Sequence, residues 1–345
     1  MRRHAPVFAQ LFALLGAAAL GGCFGFDLDQ PQRVHDLRVL AARLDPPELE
    51  LPLDPGAPPV DLTLTALVVD PSRGLIEAQV RGCAVASAAG CEAPDPLPAP
   101  LAPFYAAAQH QAPLPAAPAP SGALISDTRS LDAAALHALF EAAGPTALGS
   151  ARPVYELDVQ GEGGAELALK RLPISLPDLA FRAALAEAGL VLCDDLGLPE
   201  GCLPYQTRVP NQNPSLTGLG VRRAGEAEPT PHDPATPLTL APGEAITLHI
   251  SAAEGDDEAY QTLSVDLETR TVLLEDRVEA LSFKWFATQA SLGGGTTLPD
   301  DLLVTKNTVR APAEVPQGGL DLGLWVVLRD NRGGVDFLGL ALRVE

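Results

Sequence analysis

A short acidic segment in the second half of the chain has side chains that a hard cation would bind. It contains the four carboxylates of Glu254, Asp256, Asp257 and Glu258, and calcium prefers clustered carboxylate and carbonyl oxygens. The segment lacks the alternating aspartate spacing of an EF-hand loop, and an acidic turn is more often simply solvated. We treat these four residues as calcium candidates, and the sequence predicts no other metal or cofactor.

The remaining residues that could do chemistry do not have the spacing of a catalytic centre. The histidines at positions 35, 110, 137, 232 and 249 are scattered, and none belongs to an HExxH, HxxEH or HxH motif. The chain has no GxSxG motif after a predicted strand, and the glycines at 293–295 lack the lysine of a phosphate-binding loop. The sequence therefore predicts a protein that is not an enzyme.

Four cysteines, Cys83, Cys91, Cys193 and Cys202, are predicted to form two disulfides in an exported protein. Three pairings are possible. We favour Cys83–Cys91 and Cys193–Cys202, because each pair brackets a short loop that contains glycine or proline. A metal site is the alternative, but the spacings are wide and no histidine lies near either pair.

The first 22 residues have the parts of a secretory signal peptide. Arg2 and Arg3 give a positive start, residues 7–20 are apolar apart from Gln10, and two glycines precede Cys23. The apolar run is shorter than the ~20 residues that a comfortable membrane span needs. Residues 1–22 are therefore predicted to be a leader that directs export.

Residues 20–23 (LGGC) resemble the lipobox of bacterial lipoproteins. The resemblance implies that residues 1–22 are removed and that Cys23 becomes the lipidated first residue, with acyl chains such as palmitate on its thiol and amino group. It also implies the outer membrane, because Phe24 rather than aspartate follows the cysteine. The face of that membrane is left open, and an ordinary secreted protein with an incidental cysteine is the alternative.

The composition limits the possible partners. The 345-residue chain has a formal net charge of −21, and loss of Arg2 and Arg3 with the leader takes it to −23. Such a chain lacks the clustered cations that nucleic acid needs, and it would not dock electrostatically on anionic lipid. Membrane attachment is therefore predicted to be covalent, through Cys23. A protein or glycan partner stays unidentified.

Apolar residues alternate with polar ones in short runs that proline and glycine turns separate, which is typical of antiparallel sheets. We predict a mainly β fold with two antiparallel immunoglobulin-like β-sandwiches, the first with a Pro/Ala-rich insertion and short helices. The predicted segments are a tether at 23–33, the first sandwich at 34–175 with its insertion at 92–150, a helix and Cys-bearing connector at 176–210, and the second sandwich at 211–345.

Two helices are predicted within these segments. One begins at an N-cap on Ser130, because apolar residues then follow at helical spacing. The other begins at Pro177, which suits the first turn of a helix, and runs to Ala188. Residues 91–126 show almost no periodicity and nine prolines, so we expect an extended and partly disordered segment there.

The last part of the chain resembles a PKD/cadherin-type immunoglobulin-like domain of bacterial surface proteins. The matching pieces are residues 285–288 (WFAT), 308–312 (TVRAP) and 326–334 (VVLRDNRGG). Val309 stands where the family often has a second tryptophan, and residues 260–279 look inserted. The resemblance implies a fold and is nearly silent on activity. By analogy with immunoglobulin-like folds, Trp285 is predicted to fill the space between two sheets.

Three functions fit these observations. The first is a non-catalytic, lipid-anchored cell-envelope protein with a binding, structural or adhesive role. The second is a subunit of an envelope export or assembly complex, with the Pro-rich segment and the helices as docking elements. The third is an enzyme whose site is assembled from loops, which would need a pocket with convergent polar groups.

Overall fold

The computed structural model describes residues 32–87, 90–91, 97–115, 122–146, 149–197 and 202–345. The leader, Cys23 and the tether up to residue 31 lie outside these ranges, so the predictions made for them stay predictions. Within the described ranges, no helix has the length and apolarity to cross a membrane.

The first half of the described chain is built mainly from short strands. They are β1 (Arg38–Asp45), β2 (Leu49–Glu50), β3 (Val60–Val69), β4 (Leu75–Cys83), β5 (Ala86–Ser87), β6 (Gly90–Cys91), β7 (Ala108–Pro113), β8 (Gly122–Leu131), β9 (Ser150–Ala151), β10 (Val154–Gly161), β11 (Gly164–Arg171) and β12 (Ile174–Ser175). The α-helices of the described residues are α1 (Ala102–Tyr105), α2 (Ala133–Ala142) and α3 (Asp178–Glu187), and two short 3-10 helices span Ala99–Leu101 and Cys193–Leu196.

The larger of these strands form the first sandwich. One sheet has the order β1-β3-β8 and the other has the order β11-β10-β4-β7, with every neighbouring pair antiparallel. β3 alternates as predicted, so that Leu62, Leu64 and Val68 are buried in one core with Ile76 and Tyr155. Burial of apolar side chains between two sheets supplies most of the driving force for this packing.

The described part of the segment predicted as an insertion contributes β7 and β8 to this sandwich, which corrects the expectation of an extended and partly disordered segment there. Residues 92–96 and 116–121 of that segment lie outside the described ranges. β8 alternates strictly between buried and exposed positions, but two of its buried residues are Asp127 and Arg129. Their side chains bond to each other at 2.7 Å, and Arg129 also donates to the carbonyl of Val80. A buried ion pair at apolar positions conceals the strand pattern in the sequence.

The start of α2 differs by a few residues from the prediction. Ser130 belongs to β8, and Asp132 is the N-cap, with its carboxylate accepting a bond from the N–H of Ala135 at 2.7 Å. Pro177 precedes α3 as its N-cap residue.

Close packing constrains Gly82 of β4. A β-carbon at this position would lie 2.4 Å from the ring of Phe104 in α1, so only glycine fits there.

The second half of the described chain is also built from strands. They are β13 (Val191–Leu192), β14 (Leu216–Arg222), β15 (Thr230–Pro231), β16 (Leu238–Leu240), β17 (Ala245–Ala252), β18 (Ala259–Asp266), β19 (Thr271–Val278), β20 (Ser282–Ala287), β21 (Ser291–Leu292), β22 (Thr296–Thr297), β23 (Val304–Arg310), β24 (Leu320–Arg329) and β25 (Val335–Val344).

Two five-stranded sheets form the second sandwich, in the orders β15-β14-β17-β23-β21 and β16-β25-β24-β20-β22. All pairs are antiparallel except β16 with β25. Trp285 on β20 is fully buried between the sheets, and its ring N–H donates to Thr297 Oγ1 at 2.8 Å. The strand order is immunoglobulin-like. The first sandwich has the same arrangement of strands, with the sheet of β1, β3 and β8 facing the sheet that contains β4, β10 and β11. The predicted fold class is therefore confirmed.

The two sandwiches pack face to face. Trp325 and Val327 point away from the core of the second sandwich and are buried against Leu40 and Val69 on the first sheet of the first sandwich. Trp325 is only 1% exposed. The outer face of β24 is therefore a contact surface inside the molecule.

A third small unit, which we call the cap, combines residues 178–197 with the β18–β19 hairpin at 259–278. β13 pairs in parallel with β19, and Phe181 and Leu185 of α3 share a hydrophobic cluster with Val272 and Leu274 of the hairpin. The sequence predicted one part as a helix and connector and the other as an insertion. The structure brings the two parts together over a core of their own.

Candidate functional site

The predicted calcium residues do not form a cation site. Asp256 accepts bonds from the backbone N–H groups of Ser215 and Ala253 at 2.8 and 2.9 Å, while Glu258 faces Arg332 at 3.5 Å. In the part of the chain that the structure describes, no three His, Cys, Asp or Glu side chains are grouped so that they could hold a metal ion. The geometry of this loop therefore gives the calcium hypothesis no support, and it stays a prediction.

Arg332, in the turn between β24 and β25, lies at the centre of a buried ionic cluster. Its guanidinium contacts Glu48 at 2.9 Å, Glu279 at 3.1 Å and Glu258 at 3.5 Å, and it donates to the carbonyl of Val209 at 3.0 Å. The side chain of Arg332 is 13% exposed, so these contacts are shielded from water. We call the cluster the Arg332 junction; it consists of Glu48, Arg208, Asn211, Glu258, Glu279, Asp330 and Arg332.

Glu48 links the first sandwich to this junction. It follows β1, and its side chain is 3% exposed. Its carboxylate also accepts bonds from Arg208 at 2.8 Å and from the backbone N–H of Asn211 at 2.9 Å. Because a buried carboxylate is costly unless its oxygens are bonded, these donors and Arg332 offset the cost of burying Glu48.

Asp330 shapes the turn that carries Arg332. One of its carboxylate oxygens accepts the backbone N–H groups of Arg332, Gly333 and Gly334 at 2.6–2.8 Å. Gly333 has a positive φ of 111°, and a β-carbon on Gly334 would lie 2.1 Å from Asp330 Oδ2. Asp330, Gly333 and Gly334 are thus required by the turn, and the turn holds Arg332 in position.

Carboxylates outnumber cations in the junction, and the pKa of Glu279 is shifted most by this environment. Burial, followed by the negative charge of Asp330, raises the pKa of Glu279 to about 7, although the nearby Arg332 guanidinium acts in the opposite direction. The side chain of Glu279 is 1% exposed. Its charge therefore changes near neutral pH, whereas an ordinary glutamate is fully ionised there.

The junction connects four separate parts of the chain through groups that bond to one another. These parts are the loop after β1, the connector around residues 208–211, the insertion between β17 and β20, and the β24–β25 turn. Sequence reasoning identified the turn motif but missed Glu48, Arg208 and Glu279, for which no local signal exists. The arrangement can fix the two sandwiches to each other, and its chemistry is that of a structural clamp.

The cysteines pair as favoured from the sequence. Cys83–Cys91 and Cys193–Cys202 are disulfides with Cα–Cα distances of 5.6 and 5.7 Å. The first joins the end of β4 to β6, and the second closes the loop that follows β13 in the cap. Of the predicted site residues, only Cys23 lies outside the described part of the chain.

The first described residues pair with the end of β20. The N–H of Val34 donates to Ala287 O at 3.0 Å, and the N–H of Ala287 donates to Gln32 O at 2.9 Å. The other end of β20 pairs with Arg329 beside the β24–β25 turn. The chain therefore enters the body about 17 Å along β20 from the junction, at the end of the second sandwich that is remote from the cap.

No protein-family model and no curated protein matches the chain. Similar solved structures include a nucleoside hydrolase-related hypothetical protein from Saccharophagus degradans, at 14% identity over 39% of this chain and 26% of that one, with a TM-score of 0.24. A chimeric titin Z1Z2 tandem is 10% identical over 90% and 99% of the two chains, with a TM-score of 0.24. The D00-D0 domain of intimin is 10% identical over 90% and 98%, with a TM-score of 0.23.

The first of these matches spans about a quarter of the other protein's length. TM-scores of this size support no inference about shared fold or activity. The assignment of immunoglobulin-like sandwiches therefore depends on the strand order of the two sandwiches themselves.

Proposed function

We propose that this chain is a non-catalytic, lipid-anchored protein of the bacterial outer membrane that presents a binding surface away from the membrane. The resemblance of residues 20–23 to a lipobox supports the anchor on Cys23. Double or triple acylation would hold the protein firmly, because each buried methylene contributes about 0.8 kcal/mol.

The observation that carries the proposal is the pairing of Gln32 and Val34 with Ala287. From Cys23 to Gln32 the chain can reach at most about 30 Å, so the end of the body near Ala287 stays close to the lipid. The junction and the cap lie at the opposite end of the second sandwich. A body oriented in this way exposes the cap to whatever lies beyond the membrane surface.

The buried charged groups favour a binding or structural role over catalysis. In the described ranges, Glu48 and Arg332 are bonded to other protein groups at the junction, and Asp127 and Arg129 are bonded to each other inside the first sandwich. Such groups hold elements of the fold in place, and their charges are paired within the protein and not directed at a substrate. The contacts thus support a rigid, non-catalytic body.

Metabolic labelling with an alkyne analogue of palmitate tests the anchor. The wild-type protein should be labelled and recovered with the outer membrane, and the Cys23→Ser variant should be unlabelled and released from membranes. A Phe24→Asp variant is the matched control, because it should keep the label and move to the inner membrane. An unlabelled wild type, or a Cys23→Ser variant that stays with the membrane, contradicts the proposal.

A further inference from the structure

The cap contains a groove between α3 and β13. It has a volume of about 350 Å³, with Leu185, Ala186, Leu190 and Val191 among its apolar lining residues. Its charged lining residues are Arg182 and Asp195, which pair at 3.0 Å and are each about half exposed. The groove thus combines an apolar floor with a polar pair, which is the composition of a site for one or two apolar side chains.

Apolar surface continues outside the groove. Leu179 is 74% exposed and lies one turn before Arg182 and two turns before Ala186, so the three share one face of α3. On the other side of the groove, Val191 is 41% exposed and Leu196 is 55% exposed. A run of exposed leucine and valine around a groove is typical of an interaction site.

The groove is held in shape before any partner arrives. The Cys193–Cys202 disulfide fixes the turn that follows β13. The ring of Tyr205 stacks on Phe181 at 5.8 Å, and its hydroxyl donates to Asp178 at the start of α3 at 2.6 Å. A preformed groove binds with less ordering cost than a flexible one.

The charges of the cap indicate the kind of partner. Acidic residues exceed basic ones across its surface. The acidic residues are Asp178, Glu187, Asp194, Asp195, Asp266, Glu268, Glu275 and Asp276, and the basic ones are Arg182, Arg270 and Arg277. An acidic surface is repelled by anionic lipid, so the exposed leucines of the cap are unsuited to a bacterial membrane surface. They suit a protein surface that carries positive charge.

We propose that the cap groove binds a basic segment of a partner protein, in which an apolar side chain flanked by lysine or arginine enters the groove. The helical face of Leu179 and Ala186 contacts the segment on one side, and Val191 contacts it on the other. The inference rests on the proposed function for one point only, namely that the cap is directed away from the lipid anchor.

A designed amphipathic leucine–lysine peptide serves as the probe, with a leucine–glutamate peptide of the same pattern as its counterpart. Binding to the full processed protein in zwitterionic nanodiscs is measured by fluorescence anisotropy. The lysine peptide should bind and the glutamate peptide should not. Ala186→Trp, which fills the groove, and Leu179→Ser, which removes an apolar contact at its exposed edge without changing the charge, should each weaken binding by about ten-fold or more.

Leu302→Ser is the matched control, because Leu302 is 81% exposed and lies outside the cap. It should leave the affinity unchanged, and since Leu179 is also exposed, both serine variants should keep the wild-type melting temperature. Equal affinity of the wild type and the two cap variants, or equal binding of both peptides, overturns the groove proposal. Binding of the protein to peptide-free anionic vesicles through Leu179 would also overturn it. Failure of palmitate labelling would instead overturn the anchor and leave the groove result standing.

Discussion

Arg332 Nη2 lies 2.9 Å from Glu48 Oε2, and these two residues are 284 positions apart in the chain. The contact joins the β24–β25 turn of the second sandwich to the loop after the first strand of the first sandwich. Together with the buried face around Trp325, it makes the relative position of the sandwiches a property of their packing. We therefore expect the two sandwiches to unfold together as one cooperative unit.

Replacement of Arg332 by methionine should destabilise the protein strongly. The change keeps an apolar stem of similar length but leaves Glu48 and Glu279 without their common partner, and breaking a buried ion pair costs about 3–5 kcal/mol. Urea denaturation at pH 7.5 measures the loss. Arg277→Met is the matched control, because Arg277 and Glu275 form a pair in which each side chain is 57% exposed, and its loss should cost at most about 1 kcal/mol. Equal effects of the two variants would contradict a stabilising role for the junction.

Stability should depend on the protonation of Glu279. Burial raises the pKa of this side chain from 4.5 to about 7, so the folded protein retains a proton that the unfolded chain releases. The contribution of this retained proton to the free energy of unfolding is complete below pH 4.5, and it is lost as the pH rises through about 7.

The Glu279→Gln variant cannot ionise at this position. The difference in unfolding free energy between the wild type and this variant should therefore change by up to about 3 kcal/mol over that pH interval, with the wild type losing stability as pH rises. Glu275→Gln, at an exposed position, should keep the pH profile of the wild type. A wild-type advantage that grows with pH would show that Arg332 outweighs burial at Glu279.

Replacement of Trp325 by alanine should separate the unfolding of the two sandwiches. The indole is buried against the first sandwich, and loss of a buried tryptophan costs about 3–5 kcal/mol. Because the cores of both sandwiches stay intact, we expect two calorimetric transitions where the wild type has one. Leu302→Ala, at an exposed position, should leave one transition. A single, lowered transition in the Trp325→Ala variant would mean that the junction alone couples the sandwiches.

The parts of this structure that follow local periodicity could be predicted from the sequence. β3, β24 and the turn at 330–334 have alternating apolar residues or a turn motif that requires glycine. β8 was missed because Asp127 and Arg129 occupy buried positions of the strand. The Arg332 junction could not be predicted, since a contact between Glu48 and Arg332 leaves no trace in the sequence near either residue.

The cap was missed for a related reason. α3 and the β18–β19 hairpin each have too few apolar residues to form a core alone. Val272 and Phe181 become buried only because the fold brings two distant segments together.

The disulfides were predictable, since short loops with glycine or proline between paired cysteines limit the choice of partners.

Removal of the Cys193–Cys202 disulfide should loosen the cap and leave the sandwiches intact. The bond closes a loop with a sequence separation of 9, which corresponds to about 2.5 kcal/mol on the loop-entropy model. In a Cys193→Ser/Cys202→Ser variant, amide hydrogen exchange should speed up at Leu263 and Val272 and stay unchanged in β17. A Cys83→Ser/Cys91→Ser variant opens a loop with a separation of 8 beside β4, and it should leave exchange in the cap unchanged. If both variants speed up exchange throughout the protein, the cap is not a separate unit of local stability, and the preformed groove between α3 and β13 loses its physical basis.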